Sequence, residues 1–232
     1  MGKPQIFCFT YAGGNALFYN EIEQELPGFE LVKIEYAGHG ERRGEPLYGD
    51  FNELADDMFR ELKDRYAGGK YALFGYSRGA ITLAEVMKRI VARPSFPLPQ
   101  RVFLAAHEPH TKAELADFSP QEVDEWIKER TIRFGALPES LIHNRVFWRM
   151  YLPLFRADYT LISKYRFEDL KLSTNVPATV FYSETDTPYQ EIRLWENYFT
   201  GECEYVRYEG KHFFIRQHNS EMAEVIRSKM YG

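Results

Sequence analysis

Short apolar runs at residues 5–10, 71–74, 102–106 and 178–182 are too brief for buried helices. Runs at 30–35 and 204–208 alternate apolar with polar residues and read as further strands. Between them lie stretches with helical spacing, at 15–26, 78–91, 188–199 and 220–230. Another runs to about residue 66 behind Asp50 and Glu53, a predicted capping box. This alternation constrains the fold more than any other feature of the chain. Parallel neighbours cannot be joined by hairpins, so each helix carries the chain back across a sheet face. Right-handed crossovers then predict an α/β fold with a mostly parallel, doubly wound sheet covered on both faces.

The alternation stops between about residues 110 and 170, where no convincing strand is found. Ser119, Pro120 and Glu122 form a strong helix start, with N-cap, proline and returning carboxylate in place. A second helical stretch runs from about 142 to 165. Residues 111–170 are therefore expected to be a helical lid inserted into a core of residues 1–110 and 171–232. Its expected place is over the carboxyl edge of the sheet, where such folds bind ligands.

A length of 232 residues suits one well-buried core, and 44% apolar with 27% charged residues is a globular composition. The 16% of aromatic residues is expected to fill that core first. A net charge of −5 and no basic stretch with interleaved aromatics argue against a nucleic-acid partner. No apolar run reaches the ~18 residues of a membrane span, so no membrane partner is expected. The first residues enter a strand directly, which argues against a cleaved signal peptide. Cys8 and Cys203 are read as buried free thiols and the compartment as cytoplasmic. A monomer is the expected state.

GYSRG, residues 75–79, joins an apolar strand to an apolar helix. The pentapeptide alone would arise by chance in roughly one such chain in ten. Its setting gives it weight. A serine at such an elbow takes a strained backbone, and flanking glycines let strand and helix close in. The helix N-terminus also aims free N–H groups at developing negative charge. Ser77 is therefore the predicted nucleophile. One oxyanion donor is expected at the backbone N–H of Arg78 and another in the loop 11–14 after the first strand.

A serine needs a base. Chain order at such an elbow is serine, acid, histidine, with the histidine after the last strand. His212 fits. His218 reads as a surface residue and His39 as a loop stabiliser. His107 and His110 enclose a proline that disfavours a shared metal, so neither metal nor cofactor is expected. For the acid, Asp186 sits in the usual loop after the strand at 178–182, although a helix cap is its other reading. Glu108 is the main rival, because it follows the strand after the nucleophile helix; Glu184 is a lesser one.

Several blocks, in chain order, resemble the type II thioesterases, stand-alone enzymes of nonribosomal peptide and polyketide synthesis. They are FCFTYAGG at 7–14, GHGER at 38–42 with Glu45 and Pro46, LFGYSRGA at 73–80, LPLFRAD at 152–158 and GKHFF at 210–214. The resemblance covers nearly the whole chain and implies an α/β-hydrolase fold. It also implies a triad of Ser77, Asp186 and His212 and an oxyanion hole of the Ala12 and Arg78 N–H groups. The implied substrate is an acyl group on the phosphopantetheine arm of a carrier protein, removed in editing or release. A small-molecule carboxylesterase is the alternative, and a non-catalytic binding module a third. The chain departs from the family's pattern at Thr10, Tyr76, Arg78 and the segment 107–110. Arg42, Arg43 and Arg78 are the candidate basic docking residues for an acidic carrier, with solvated surface arginines as the equally weighted reading of the first two.

Overall fold

The computed structural model describes residues 2–110, 115 and 117–231. Its strands are β1 (Gln5–Phe9), β2 (Glu30–Lys33), β3 (Tyr71–Tyr76), β4 (Arg101–Ala105), β5 (Ala178–Tyr182) and β6 (Cys203–Arg207). They form one sheet in the order β2-β1-β3-β4-β5-β6, and every pairing is parallel. The register sets Phe7 beside Leu73 and Phe74 beside Phe103. From β1 the chain steps first to one side and then to the other, so the winding direction reverses beside β1. The crevice at the carboxyl ends of the strands there is where such sheets take ligands.

The helices are α1 (Asn20–Gln24), α2 (Phe51–Arg65), α3 (Arg78–Val91), α4 (Pro120–Arg133), α5 (Glu139–Ile142), α6 (Arg145–Lys164), α7 (Tyr189–Ile192) and α8 (Asn219–Tyr231). Strand side chains alternate between two apolar layers, as the period of two requires. Phe7, Phe9, Leu73 and Leu104 join the layer of α2 and α3, with Leu54, Met58 and Leu83. Ile6, Cys8, Phe74 and Phe103 join the layer of α1 and α8, with Ile22, Met222 and Ile226. Each such fully buried side chain stabilises the fold by roughly 1.5–3 kcal/mol relative to exposure. The aromatic residues do fill this core: Tyr19, Phe74 and Trp195 are wholly buried.

No strand occurs among the described residues of 111–170. There α4 packs on α6 through a small core of Ile127, Trp148 and Phe155. The capping box at Ser119 and Glu122 forms in both directions. That at Asp50 is only half formed. Asp50 accepts from the Asn52 and Glu53 N–H groups, but the Glu53 carboxylate accepts from Gly49 instead. Two predicted helices are broken: residues 15–26 hold a 3-10 turn (Ala16–Tyr19) before α1, and α7 passes into a 3-10 segment (Arg193–Asn197). The helix expected at about 142–165 is the unbroken α6, which starts at Arg145 behind the Asn144 cap.

Candidate active site

β3 ends at Tyr76 and α3 begins at Arg78, leaving Ser77 alone in the turn with φ 56° and ψ −120°. Such a backbone costs a non-glycine residue on the order of 1–3 kcal/mol. Two hydrogen bonds hold it: the Ser77 N–H donates to Ala105 O and the Ala80 N–H to Ser77 O, both at 2.8 Å. The turn is tight enough to require both flanking glycines. A Cβ on Gly79 would lie 1.9 Å from the Phe9 carbonyl oxygen, and one on Gly75 would lie 2.2 Å from that of Gly79. Serine is a favoured N-cap, yet the Ser77 side chain makes no capping bond. Its Oγ lies 3.0 Å from His212 Nε2 instead.

His212 follows β6 by a loop, and the far ring nitrogen, Nδ1, lies 2.9 Å from each carboxylate oxygen of Asp186. Both side chains are only 7% exposed. The loops that carry them are tied together. The Ser183 and Thr185 hydroxyls donate to the Gly210 carbonyl, the latter at 2.5 Å. The Tyr76 hydroxyl, beside the serine, donates to the His212 carbonyl at 2.7 Å. From the helical block, Phe134 stacks on the imidazole with centroids 4.0 Å apart and planes 16° apart. The two rival acids bond elsewhere. Glu108 accepts from the Thr187 hydroxyl at 3.2 Å, and the exposed Glu184 accepts from the Tyr189 N–H at 3.4 Å.

The structure corrects the expectation that Arg78 lies at the mouth as a docking residue. Its side chain is fully buried. The guanidinium rests over the Tyr36 ring, 4.0 Å from the centroid, and Nη1 meets Asp158 Oδ1 as a close ion pair rather than an aligned hydrogen bond. Asp158, on α6, also accepts from the Gly13 N–H at 2.6 Å and lies 2.9 Å from His39 Nε2. Burial by itself would raise the Asp158 carboxyl; Arg78, His39 and the Gly13 N–H more than offset this and hold it below the usual carboxylate range. Arg42 is likewise engaged, with Glu45 and Asp57, whereas Arg43 is exposed.

Ala12 and Ser77 line one small cavity together with His212, Phe134 and Phe155. The Ala12 and Arg78 N–H groups have no acceptor among the described residues. Ser77 and His212 also line a larger cleft of about 950 Å³, solvent at its mouth included. Trp126, Tyr159 and Phe167 wall it along with Glu108, Arg130 and Thr187. Both cavities meet at the Ser77–His212 pair and are bounded by Phe134 and Tyr159.

Of the remaining predicted residues, His39 is buried and bonds Ala37 O and Asp158, a stabilising place within the loop. His218 is partly exposed beside Tyr208. His107 and His110 line the larger cleft, and no cluster of three metal-binding side chains occurs among the described residues. Cys8 and Cys203 are free; Cys8 is buried, and Cys203 is partly exposed rather than buried. No described helix is long and apolar enough to cross a membrane. Sequence reasoning missed the parts played by Phe134, Tyr76 and Asp158. Only Asp158 carried a signal, as a lone carboxylate on a mostly apolar helical stretch.

The thioesterase domain family model matches residues 4–230. A probable cadicidin biosynthesis thioesterase of Streptomyces griseus is 29% identical over 96% of this chain, which spans 62% of that protein's length. The medium-chain S-acyl fatty acid synthase thioesterase of Rattus norvegicus is 25% identical over 94% of this chain and 83% of its own length. Among solved structures, the type II thioesterase BorB from the borrelidin biosynthetic cluster superposes with a TM-score of 0.84 at 26% identity, covering 98% of this chain and 93% of its own.

Proposed function

Since the chain belongs to the thioesterase family, we propose that it is a serine hydrolase that cleaves acyl groups from the phosphopantetheine arm of carrier proteins in nonribosomal peptide or polyketide assembly. The observation that carries this reading is the line from Ser77 Oγ to His212 Nε2, at 3.0 Å, and on from Nδ1 to Asp186 at 2.9 Å. Relatives named for such pathways support the substrate class. Two cavities that both reach Ser77 leave room for an acyl group and for the arm that carries it.

In this mechanism His212 Nε2 takes the Ser77 proton as Oγ attacks the thioester carbonyl. Asp186 holds the ring tautomer and stabilises the imidazolium. The oxyanion rests on the Ala12 and Arg78 N–H groups, each donor contributing about 3 kcal/mol of transition-state stabilisation. As the C–S bond breaks, His212 gives the proton to the sulfur and the free thiol leaves. Water then attacks the acyl-serine with His212 again as base, releasing a carboxylic acid and restoring the serine. Residues 111–170 act as a lid that shields the acyl-enzyme from bulk water.

Mass spectrometry of an acylated carrier before and after incubation tests this. Loss of the acyl mass with the native protein and its retention with Ser77→Ala is the expected result. Equal turnover by both proteins, or faster cleavage of free esters than of carrier thioesters, would overturn it.

A further inference from the structure

Asp158 stands outside the proposed triad, yet its carboxylate bonds to both segments assigned above to the oxyanion. Oδ2 accepts the Gly13 N–H at 2.6 Å, one residue after Ala12, and Oδ1 pairs with the guanidinium of Arg78, whose own backbone N–H is the second donor. The Asp158 side chain is 2% exposed and that of Arg78 is fully buried, so water does not loosen the arrangement. We propose that Asp158 is a positioning residue that clamps both halves of the oxyanion hole from the helical block, and that Arg78 neutralises it there. The inference rests on the Ser77 reading and adds residues which that reading does not use.

A loop donor must be held to within a fraction of an ångström of its working place, because a hydrogen bond weakens steeply with misalignment. The loop after β1 closes a turn of its own, with the Gly14 N–H donating to Tyr11 O at 3.1 Å, and the bond from Gly13 fixes that turn against α6. A lone buried carboxylate this close to the site would oppose the anion formed during the reaction. The Arg78 guanidinium cancels that field locally, and its Nε and Nη2 have no hydrogen-bond partner among the described residues. Its buried charge is answered chiefly by Asp158, which makes the pair interdependent.

Two double variants separate positioning from mere packing. R78M/D158L replaces the ion pair with apolar groups and removes the acceptor for the Gly13 N–H. R78M/D158N is equally neutral but restores an acceptor. The expected result is a kcat for R78M/D158L roughly 10- to 100-fold below the native value, with KM within about threefold. R78M/D158N should recover most of that loss at a similar melting temperature. Equal kcat values for the two folded variants, or a loss confined to KM, would overturn the clamp. Should either variant fail to fold, hydrogen exchange at the Gly13 amide of the native protein decides the matter. Protection comparable to the α6 amides supports the clamp, and exchange as fast as an open loop overturns it. Ser77→Ala is run in parallel: retained turnover would strike the nucleophile reading underneath, whereas a dead Ser77→Ala with indistinguishable double variants strikes the clamp alone.

Discussion

The Phe134 ring lies flat on the His212 imidazole, 4.0 Å between centroids and 16° from parallel, although the two residues belong to different parts of the fold. Phe134 caps the end of α4, and His212 follows the last strand. The ring packs against one face of the imidazole while Phe213 meets it edge-on at 5.2 Å. A flat aromatic face also favours a cation, by about 0.5–1 kcal/mol at such sites. Phe134→Leu is therefore expected to lower kcat about two- to fivefold with the fold intact. Steady-state kinetics beside a melting curve check this, and an unchanged kcat would show the stacking to be packing only.

Asp186, rather than Glu108, meets the imidazole at Nδ1. Asp186→Asn preserves shape but offers His212 the wrong partner, and a loss of about 10³- to 10⁴-fold in kcat is expected. Glu108→Gln keeps an acceptor for the Thr187 hydroxyl and should stay within about threefold of the native rate. The opposite ranking in a side-by-side assay would reassign the acid.

Tyr76 departs from the family's usual elbow and uses its hydroxyl to hold the His212 carbonyl at 2.7 Å. Tyr76→Phe leaves that carbonyl short of a donor, at a cost of about 1–3 kcal/mol. Part of the loss should appear as a lower kcat, because the anchored backbone carries the proposed base, His212. A variant that loses melting temperature but no turnover would limit Tyr76 to a stabilising part.

Gly79 tests the elbow without touching a reactive group. Its missing Cβ makes room for the Phe9 carbonyl. Gly79→Ala should cost about 3 kcal/mol or more, a fall of roughly 6–12 °C in melting temperature for a chain of this size. Gly44, where an added Cβ meets nothing within 4 Å, is the control, and its alanine variant should change little. Equal melting temperatures for the two would contradict the close approach of helix and strand.

Acid sensitivity follows from two buried carboxylates. Asp158 is held below its ordinary range by Arg78 and His39 against the upward push of burial, and Asp57 by Arg42 and Tyr48 against the same push. A depressed carboxyl contributes stability that is fully present above the unfolded value near 4 and is lost as pH falls through the folded one. Urea midpoints should therefore drop as pH is lowered from about 5 toward 3. Asp57→Asn should flatten that drop and also lower the plateau above it. A native midpoint that does not change through this range would contradict the linkage.

The strands were legible because each is a short apolar or alternating run; the sequence-based bounds match at β5 and differ from the observed ones by a residue or two at the other strands. Ser77 was legible because its glycines and neighbouring apolar runs are local in the chain. The misreadings are of other kinds. Residues 15–26 carry helical spacing, but the Asn15 side chain accepts from the Leu17 N–H and closes a 3-10 turn first. Arg78 was expected at the surface because arginine usually is. Its burial depends on Asp158 in another helix, and that carboxylate in turn reaches Gly13 across 145 residues of sequence. No periodicity reports a contact of that span, and the same holds for Phe134 on His212.

The parallel sheet sets residues 77, 186 and 212 just beyond the ends of β3, β5 and β6, on one edge. A hydroxyl, a carboxylate and an imidazole that are harmless apart become neighbours only when the sixth strand has docked. A molecule in which that strand is undocked would lack the proposed triad. On the proposed reading, turnover would then report the finished sheet, since no single segment of the chain holds all three groups.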